Sequence, residues 1–414
     1  MTTISETEAP AESQDVEQLQ NPEESTLSKG MTLILAATVG MVVGNLYYMQ
    51  PLLGLIATDL KLSESEVGFA ATLSLVGQAC GMLLILPLGD IFNRRPLILI
   101  SVFLSVCALL LVASADGIVW LSGACLVLGL STTGTHMTIS LGASLAAPAQ
   151  RGRVVGTVVG GLLTGLLLSR TLSGFLGTLI DWQAIYYMAA GMLTCLLVTL
   201  WCLLPSTKPQ IRMGYLALLA SLWRLFRTEK VLRESCVFGS LSFAAFSTFW
   251  ITLVFHLERP PLNYGSDVAG LLGLLAIGGA VAAGGIGRLA DRFGARPIIG
   301  LFQLLTLLSF GVFYLWGESL AGLGIGVVLM DMGIQAVHVG NQSRVYSLAP
   351  EARNRLGAVY IVTYFMGGSA GAAVGVWSWS HFGWTGVCSA SALFMLTGTI
   401  YWLLTNRSVP VNQL

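Results

Sequence analysis

Residues 88–95 read LGDIFNRR, and residues 289–296 read LADRFGAR. The two stretches are nearly the same, and each is a short charged turn between two long apolar segments. Asp90 and Asp291 occupy the same place in the two copies, 201 residues apart in a chain of 414. We therefore predict that the chain consists of two copies of one half, and that the repeated element is a tight loop between membrane helices.

The composition supports a membrane protein. Hydrophobic residues make up 55% of the chain and charged residues only 10%, whereas a soluble domain carries about 25% charged residues. A chain of this length cannot hide so much apolar surface in its own core, so lipid must be the solvent for much of it. The net charge of zero argues against nucleic-acid binding. The seven cysteines lie in or beside apolar runs without a C-x-x-C motif, which indicates core residues rather than disulfides or metal ligands.

Apolar segments of about 20 residues recur along the chain, and each is long enough to cross a bilayer as a helix. We number them spans 1 to 12. They cover residues 31–57, 67–88, 95–115, 118–145, 154–178, 183–204, 234–257, 267–289, 296–316, 319–343, 355–379 and 385–405. The predicted fold is an all-α integral membrane protein with twelve transmembrane helices in two six-helix, pseudo-symmetric halves.

Polar segments divide the chain around these spans. Residues 1–28 hold seven acidic residues and no basic one, which predicts a disordered cytoplasmic tail. The expected order is then an N-terminal half at 29–204, a cytoplasmic connector at 205–233, a C-terminal half at 234–406 and a cytoplasmic tail at 407–414. The apolar and basic residues of the connector predict a helix that lies in the membrane interface.

Lysine and arginine indicate the orientation, because cytoplasmic loops carry an excess of both. With the N-terminus inside, 18 of the 21 basic residues fall in cytoplasmic segments or at cytoplasmic helix ends. The exceptions are Lys61 and Arg259, in outer loops, and Arg170, inside span 5. We therefore expect both termini in the cytoplasm.

A second repeat supports the two halves. Residues 147–153 read APAQRGR and residues 349–355 read APEARNR, with Arg151 and Arg353 placed 202 residues apart. Parallel six-helix repeats with a cavity between them at the membrane midplane are typical of secondary transporters. No nucleotide-binding loop of the G-x-x-x-x-G-K-[ST] kind occurs in the sequence, so ATP is not expected to drive transport directly.

These motifs resemble those of the major facilitator superfamily. Residues 88–96 and 287–297 resemble its loop signature between helices 2 and 3 and the copy between helices 8 and 9. Residues 45–53 and 151–157 resemble the bacterial drug- and sugar-efflux permeases of the arabinose-efflux group. The resemblance implies the major facilitator fold in a bacterial cytoplasmic (inner) membrane. Two features of drug–proton antiporters, the helix 4 arginine and an intact glycine–proline element in helix 5, are absent.

The same resemblance implies a gating role for the repeated loop. In the superfamily, the matching aspartate and arginines form a latch between the halves that favours the outward-facing state. The implied gating residues are Asp90, Arg94, Asp291, Arg292 and Arg296. The arginines are also expected to act as positive-inside topology signals.

Asp331 lies about 13 residues into span 10, close to the membrane midplane by helix rise. A buried charge there costs roughly 2.5–3.5 kcal/mol even on a mild insertion scale, so such residues are rare and usually functional. Gln335 and His338 follow on the same helix face. We predict that Asp331 carries a proton; the alternative is a structural carboxylate that hydrogen-bonds a neighbouring helix.

His136 in span 4 is the counterpart of His338 when the 202-residue offset is applied. Histidine titrates near physiological pH, so the two side chains could relay protons or bind substrate across the central cavity. The alternative is two separate packing histidines with satisfied hydrogen bonds. A metal site is not expected, because no carboxylate or cysteine accompanies them at ligand spacing.

Arg170 is the only basic residue deep inside a span, and arginine cannot discard its proton. It could pair with Asp331 or bind an anionic group of the substrate; the alternative is a fixed structural ion pair. Polar residues of span 1 and aromatic residues of spans 7 and 11 are further candidates for the cavity wall. The predicted substrate-binding residues are Asn45, Tyr48, Gln50, Arg170, Trp250, Gln335 and Tyr364.

Small residues recur at every fourth position of span 5, at Gly161, Gly165, Ser169, Ser173 and Gly177. Such a ridge allows two membrane helices to pack closely, and we expect a structural role for it.

The sequence therefore predicts a proton-coupled secondary transporter that exports small, partly apolar molecules by alternating access. The first rival is a proton symporter that imports an organic anion. A rival of another class is a membrane sensor that does not transport. We expect no enzymatic activity, no cofactor and no metal; the expected partners are a small-molecule substrate, protons and the lipid bilayer, without nucleic acid and with the chain as a monomer.

Overall fold

The computed structural model describes residues 27–147, 150–206, 214–276, 292–349 and 352–406, without the side chains of residues 353, 354 and 406. All regular structure in these ranges is helical. The helices are α1 (Lys29–Gly44), α2 (Met49–Asp59), α3 (Glu64–Leu84), α4 (Leu88–Ile91), α5 (Arg94–Ala113), α6 (Ile118–Ser131), α7 (Gly134–Leu145), α8 (Arg151–Leu176), α9 (Trp182–Leu203), α10 (Tyr215–Thr228), α11 (Lys230–Leu257), α12 (Ser266–Leu275), α13 (Ala295–Trp316), α14 (Leu320–Tyr346) and α15 (Arg353–Asn406). The predicted tails lie outside these ranges, apart from residues 27 and 28.

Ten helical segments of the described residues are long and apolar enough to cross a membrane. One of them, Arg355–Thr405, covers predicted spans 11 and 12 and is divided at Gly383, where φ is 59° and ψ is −149°. Span 8 begins as the short apolar helix α12, and its remainder lies outside the described residues. The all-α membrane fold is therefore confirmed, while the count of twelve helices stays a prediction.

Spans 1 and 4 each consist of two helices. A turn at residues 45–48 separates α1 from α2, and Pro51 lies in the first turn of α2, where its missing N–H interrupts no helical hydrogen bond. Thr132 and Thr133 form the corresponding break between α6 and α7. These breaks place the polar side chains of Asn45, Thr132 and Thr133 inside the bundle, where lipid cannot reach them.

Glycine allows the backbones of α1 and α8 to touch. A Cβ atom added at Gly165 would stand 2.4 Å from the Cα of Gly40, and one at Gly161 would stand 2.3 Å from the carbonyl oxygen of Ala36. α11 and α15 meet in the same way, since a Cβ at Gly371 would stand 2.4 Å from the Cα of Ala244. The first contact joins spans 1 and 5, and the second joins spans 7 and 11. These two contacts are equivalent in a six-helix repeat.

Two helix pairs join the N-terminal and C-terminal parts of the chain. α8 packs on α12, where Thr171 Oγ1 donates to the Gly270 carbonyl at 3.1 Å and Ser266 Oγ donates to the Gly174 carbonyl at 3.0 Å. α3 packs on α15, with Gly68 against Val376. Because the two pairs correspond to spans 5 with 8 and 2 with 11, they too match a repeat.

The connector contains the amphipathic helix α10. Leu218 and Leu222 are buried against the bundle, whereas Trp223, Arg224 and Arg227 are exposed. The helix is thus present where the sequence predicts it, and its place in the membrane interface stays a prediction. Residues 207–213 of the connector lie outside the described ranges.

Candidate substrate and proton site

Arg170 lies in the middle of the bundle, with 1% of its surface exposed. Its Nε donates to Gln50 Oε1 at 2.8 Å. Its Cζ lies 4.1 Å from the ring centroid of Trp250, 4.7 Å from that of Tyr47 and 5.4 Å from that of Phe246. We call these three rings the aromatic cage. Tyr47 comes from the N-terminal half, and the other two rings come from α11.

The remaining guanidinium nitrogens, Nη1 and Nη2, have no hydrogen-bond partner among the described residues, and neither does Trp250 Nε1. A buried donor without a partner loses its hydration without compensation, which costs several kcal/mol for a charged group. A cavity of about 10 Å³ lies against Arg170 and Trp250. It is large enough for about one water molecule, so a larger ligand needs the halves to move apart.

Asp331 lies in α14 and is 3% exposed. Its Oδ2 has no hydrogen-bond partner within the described part of the chain. Asp331 and Arg170 act on each other electrostatically, but no ion pair joins them among the described side chains. The fixed ion pair that the sequence offered as one alternative is therefore not formed in this conformation.

His338 lies two turns further along α14 and contacts two tyrosines of α15. Its Nδ1 is 3.1 Å from Tyr360 Oη, and its ring centroid is 4.6 Å from that of Tyr364. Tyr364 in turn stacks on Phe243, with the ring centroids 4.2 Å apart. Gln335 is half-buried, one turn from Asp331. Aromatic side chains thus line the interior from Arg170 to His338.

The polar residues of span 1 are divided by the turn between α1 and α2. Asn45 is buried, and its Nδ2 has no partner among the described residues. Tyr48 packs edge-to-face on Tyr186 of α9, with the ring centroids 6.4 Å apart. The tyrosine beside Arg170 is its neighbour Tyr47. Tyr47 and Gln50 are three residues apart, so both side chains lie on the face of span 1 that meets Arg170, whereas Tyr48 points towards α9.

A cavity of about 680 Å³ opens on the side of the molecule that carries Asp90, which we call the Asp90 face. Both halves line it, with His136 and Arg151 on one side and Arg355 and Ile361 on the other. His136 Nδ1 has no partner among the described residues. In the described part of the chain, the two halves therefore border an open cavity on this face.

The predicted gating residues form pairs within each half. Asp90 pairs with Arg94 at 3.2 Å. Arg296 donates to Thr405 Oγ1 at 2.8 Å and lies 4.0 Å from Glu234. The guanidinium of Arg292 lies 5.3 Å from the ring centroid of Phe293. Asp291 lies outside the described residues.

The opposite side, which we call the Glu64 face, is held closed by a contact between the halves. Glu64 Oε2 accepts from Arg259 Nη2 at 2.8 Å and from Trp379 Nε1 at 2.6 Å. Arg259 Cζ also lies 4.6 Å from the Trp379 ring centroid. We call these three residues the Glu64 clamp. Beside it, the Glu258 carboxylate lies against Gly54, where an added Cβ would stand 2.0 Å from Oε1.

The sequence did not single out this clamp. Its only visible sign was Arg259, one of two basic residues that the positive-inside pattern left in outer loops. Acidic and aromatic residues at helix ends are common, so Glu64 and Trp379 become distinctive only through their contact across 315 residues of chain.

Comparison with known proteins agrees with this architecture. The sequence model of the Major Facilitator Superfamily matches residues 32–287 and 261–414. The chain belongs to the major facilitator superfamily. It is thus a multi-pass membrane transporter that binds a small molecule within the membrane, and it is not an enzyme. The transporter interpretation is therefore preferred to the membrane-sensor alternative.

Similar members of the superfamily include two bacterial proteins. The uncharacterized transporter YgaY of Escherichia coli O157:H7 is 37% identical over 376 residues, covering 91% of this chain and 95% of that protein. SCO4007 of Streptomyces coelicolor, described as a probable transporter, is 32% identical over 369 residues, covering 88% of this chain and 85% of that protein.

Among solved structures, the fold is similar to a bacterial homolog of the human lysosomal transporter Spinster in an inward-facing, unoccupied conformation. The TM-score is 0.74 at 13% identity, covering 94% of this chain and 98% of that chain. At this identity the likeness shows the shared major facilitator fold.

Proposed function

We propose that the protein is a proton-coupled secondary transporter that moves small, partly apolar molecules by alternating access. The observation that carries the proposal is the buried carboxylate of Asp331, whose Oδ2 has no partner among the described residues, near the cation and aromatic rings around Arg170. An intramembrane carboxylate without a fixed partner can exchange a proton as its surroundings change. The rings offer an apolar surface to the substrate.

The residues of the site have two proposed roles, proton transfer and substrate binding. Asp331 carries the proton, and His338 and His136 relay it between the interior and the wide cavity. Arg170, held by Gln50, binds the polar end of the substrate, and Trp250 and Tyr364 contact its apolar body. The contribution of Asn45, Tyr48 and Gln335 is to line the remaining wall.

The proposed orientation places the Asp90 face in the cytoplasm, because most basic residues lie on that side. The structure then corresponds to a state that is open to the cytoplasm and closed outside by the Glu64 clamp. In the outward-facing state, the clamp separates and the repeated loops close the Asp90 face. We place the protein in the bacterial inner membrane with both termini inside.

Export in exchange for protons is the first candidate direction. It is the direction that the resemblance to bacterial efflux permeases implies. In this mechanism the substrate and the proton compete, because binding of one releases the other. The exporter therefore suits neutral or cationic substrates.

Import of an organic anion together with a proton is the second candidate. The two unpartnered nitrogens of Arg170 favour it, because they offer a carboxylate two parallel hydrogen bonds in a water-poor site. Here the anion and the proton support each other's binding. The two candidates thus differ in whether substrate binding releases or takes up a proton.

A flux measurement tests the proposal. The purified protein is reconstituted in liposomes that contain a pH-sensitive dye, and an anionic, a neutral and a cationic aromatic compound of equal size are added in turn. At least one compound should drive a proton flux that exceeds that of protein-free liposomes. If none of the three moves protons while radiolabelled compound still crosses, the proton coupling is wrong. Growth separates the directions: tolerance of toxic compounds on overexpression favours export, and rescue on a scarce nutrient favours import.

A further inference from the structure

We infer that the substrate is a small aromatic carboxylate whose two oxygens bind Nη1 and Nη2 of Arg170 while its ring lies in the aromatic cage. The inference rests on the proposed function of this site and adds the chemical class of the ligand. It also selects the second candidate direction, in which an anion and a proton move together.

Two of the three guanidinium nitrogens of Arg170 have no hydrogen-bond partner among the described residues. Gln50 accepts from Nε and fixes the direction of the guanidinium plane. Nη1 and Nη2 are both buried and lack partners in the described part of the chain. Two parallel N–H groups at the end of a planar cation match the two oxygens of a carboxylate, a geometry that lysine cannot offer.

The side chains around Nη1 and Nη2 favour a substrate with an aromatic ring. Tyr47, Phe246 and Trp250 present flat apolar faces around the cation, and Trp250 Nε1 is a further buried donor without a partner among the described residues. A sugar needs hydrogen-bond partners for many hydroxyl groups, and each unpaired group would cost free energy in this apolar setting. A flat ring with one acidic group leaves few polar atoms unpaired.

Both halves of the protein contribute to the cage. Tyr47 and Gln50 lie in the N-terminal half, whereas Phe246 and Trp250 lie in the C-terminal half. A ligand held by Arg170 would therefore contact both halves at once. This is the position from which binding can favour closure of the halves around the ligand, as alternating access requires.

Charge balance connects this ligand to the proton. Among the described residues, the charged and titratable groups that act on Asp331 are Arg170 of α8 and Tyr364 of α15, and Tyr47 also acts on Arg170. With Asp331 ionised, one cation faces one carboxylate. A second carboxylate would leave an excess negative charge in the membrane interior, which is costly. The anion should therefore bind when Asp331 is protonated, so each anion takes up one proton.

Binding to the full-length protein in detergent tests the ligand class without any variant. The probes are 4-hydroxybenzoate, 4-hydroxybenzamide and 4-hydroxybenzylamine, measured by titration calorimetry at pH 6 and pH 8. We expect 4-hydroxybenzoate to bind at least about tenfold more tightly than the amide, the difference expected for a charge-assisted pair. The benzoate should bind more tightly at pH 6, and two buffers of different ionisation enthalpy should report uptake of one proton.

Variants then locate the site. Arg170→Gln should lose the preference for the benzoate over the amide, and Arg170→Lys should keep only part of it. Arg224→Gln removes an exposed arginine from α10 and should leave binding unchanged. Thermal unfolding of each variant checks that it is folded; if Arg170→Gln is not, Arg170→Lys and the wild-type ligand series decide.

The inference is overturned if the benzoate and the amide bind the wild type equally, if the benzoate does not bind, or if folded Arg170→Gln binds the benzoate as the wild type does. These results would leave Arg170 as a structural cation held by the rings. The flux measurement in liposomes distinguishes this inference from the proposed proton coupling. The proton coupling is wrong if no compound of any charge drives a proton flux. Only the ligand class is wrong if the amide or the amine drives a proton flux and the benzoate does not.

Discussion

Asp331 and Arg170 carry opposite charges inside the same bundle, yet they form no ion pair among the described side chains. A buried pair with ideal geometry would be a stable structural element, and opening it would leave two uncompensated charges. Two groups that influence each other without direct contact can instead respond to a ligand or a proton. At the residue scale, the incomplete hydrogen bonding of this site is the feature that points to transport.

Asp331→Asn should make binding of 4-hydroxybenzoate independent of pH. The amide resembles the protonated acid in shape and charge, so the variant should bind at pH 8 as the wild type does at pH 6. In the wild type, one-proton linkage lets affinity fall by up to about tenfold per pH unit above the titration point. Calorimetry between pH 6 and pH 8 measures the affinity of the wild type and of Asp331→Asn for 4-hydroxybenzoate. Asp116→Asn, which changes an exposed loop carboxylate, serves as the control and should keep the wild-type pH profile.

Arg170 and Asp331 were predictable from the sequence because a charge inside an apolar span is rare. The cage was only partly predictable. Trp250 was among the predicted residues, but Tyr47 and Phe246 were not, since aromatic residues occur throughout the spans and most pack against other helices. Their selection depends on contacts between α1, α8 and α11, which are distant in sequence.

At the scale of helices, the ends of the unbroken spans were predicted within four residues of the observed helix ends. The prediction of 183–204 compares with Trp182–Leu203, and that of 296–316 with Ala295–Trp316. The breaks in spans 1 and 4 were not predicted as turns, because hydropathy averages over a window and does not register a single polar turn.

The contact between α1 and α8 provides a matched test of helix packing. Gly161→Ala would place a methyl group 2.3 Å from the Ala36 carbonyl oxygen, so it should destabilise the protein by about 1–3 kcal/mol through overpacking. Gly160→Ala, at the next position, meets nothing within 4 Å and should be neutral or slightly stabilising. Thermal unfolding in detergent distinguishes them. Equal melting temperatures for the two variants would mean that the helices are not in close contact.

Glu258, which follows α11 directly, should make the Glu64 face sensitive to pH. Partial burial against α2, and then the nearby Glu64 carboxylate, raise the pKa of Glu258 to about 7. When the face opens, the two carboxylates separate and the pKa should return towards its usual range. The closed form therefore binds the proton more tightly, so acidification through pH 7 favours closure and alkaline pH removes this contribution.

Distances between spin labels attached at positions Asp181 and Glu318, measured by electron paramagnetic resonance, report the equilibrium between the open and closed forms of the Glu64 face. The closed fraction of the wild type should rise by a factor of a few from pH 8 to pH 6. Glu258→Gln should stay largely closed across this range, because it carries no charge to repel Glu64. A Glu258→Gln variant with the pH response of the wild type would exclude this residue as the sensor.

At the scale of the whole molecule, the described residues leave the Asp90 face open and the Glu64 face closed. The clamp is partly exposed, with 55% of the Arg259 side chain and 34% of the Glu64 side chain accessible. An exposed ion pair contributes about 0–1 kcal/mol. The clamp can therefore shift the balance between states without preventing the face from opening, as a transporter requires.

Glu64→Gln should weaken the clamp, since it removes the charge that Arg259 and Trp379 both contact. At pH 6, where Glu258 is largely protonated and does not repel residue 64, we expect the open-to-closed ratio of the Glu64 face to rise by roughly fivefold or less, which corresponds to about 1 kcal/mol. The same spin-label distances measure the change, and Asp116→Asn again provides the control. A distance distribution unchanged from the wild type would show that other contacts close this face.

The central claim is that protons move with the substrate through Asp331, and proton flux in liposomes tests it most directly. Wild type and Asp331→Asn are reconstituted in parallel, an inward gradient of 4-hydroxybenzoate is applied, and the rate in protein-free liposomes is subtracted. The wild type should acidify the lumen as the compound enters. Asp331→Asn should still exchange radiolabelled compound across the membrane but should move no protons. Proton flux in Asp331→Asn at the wild-type rate, with the wild-type pH profile, would contradict the account.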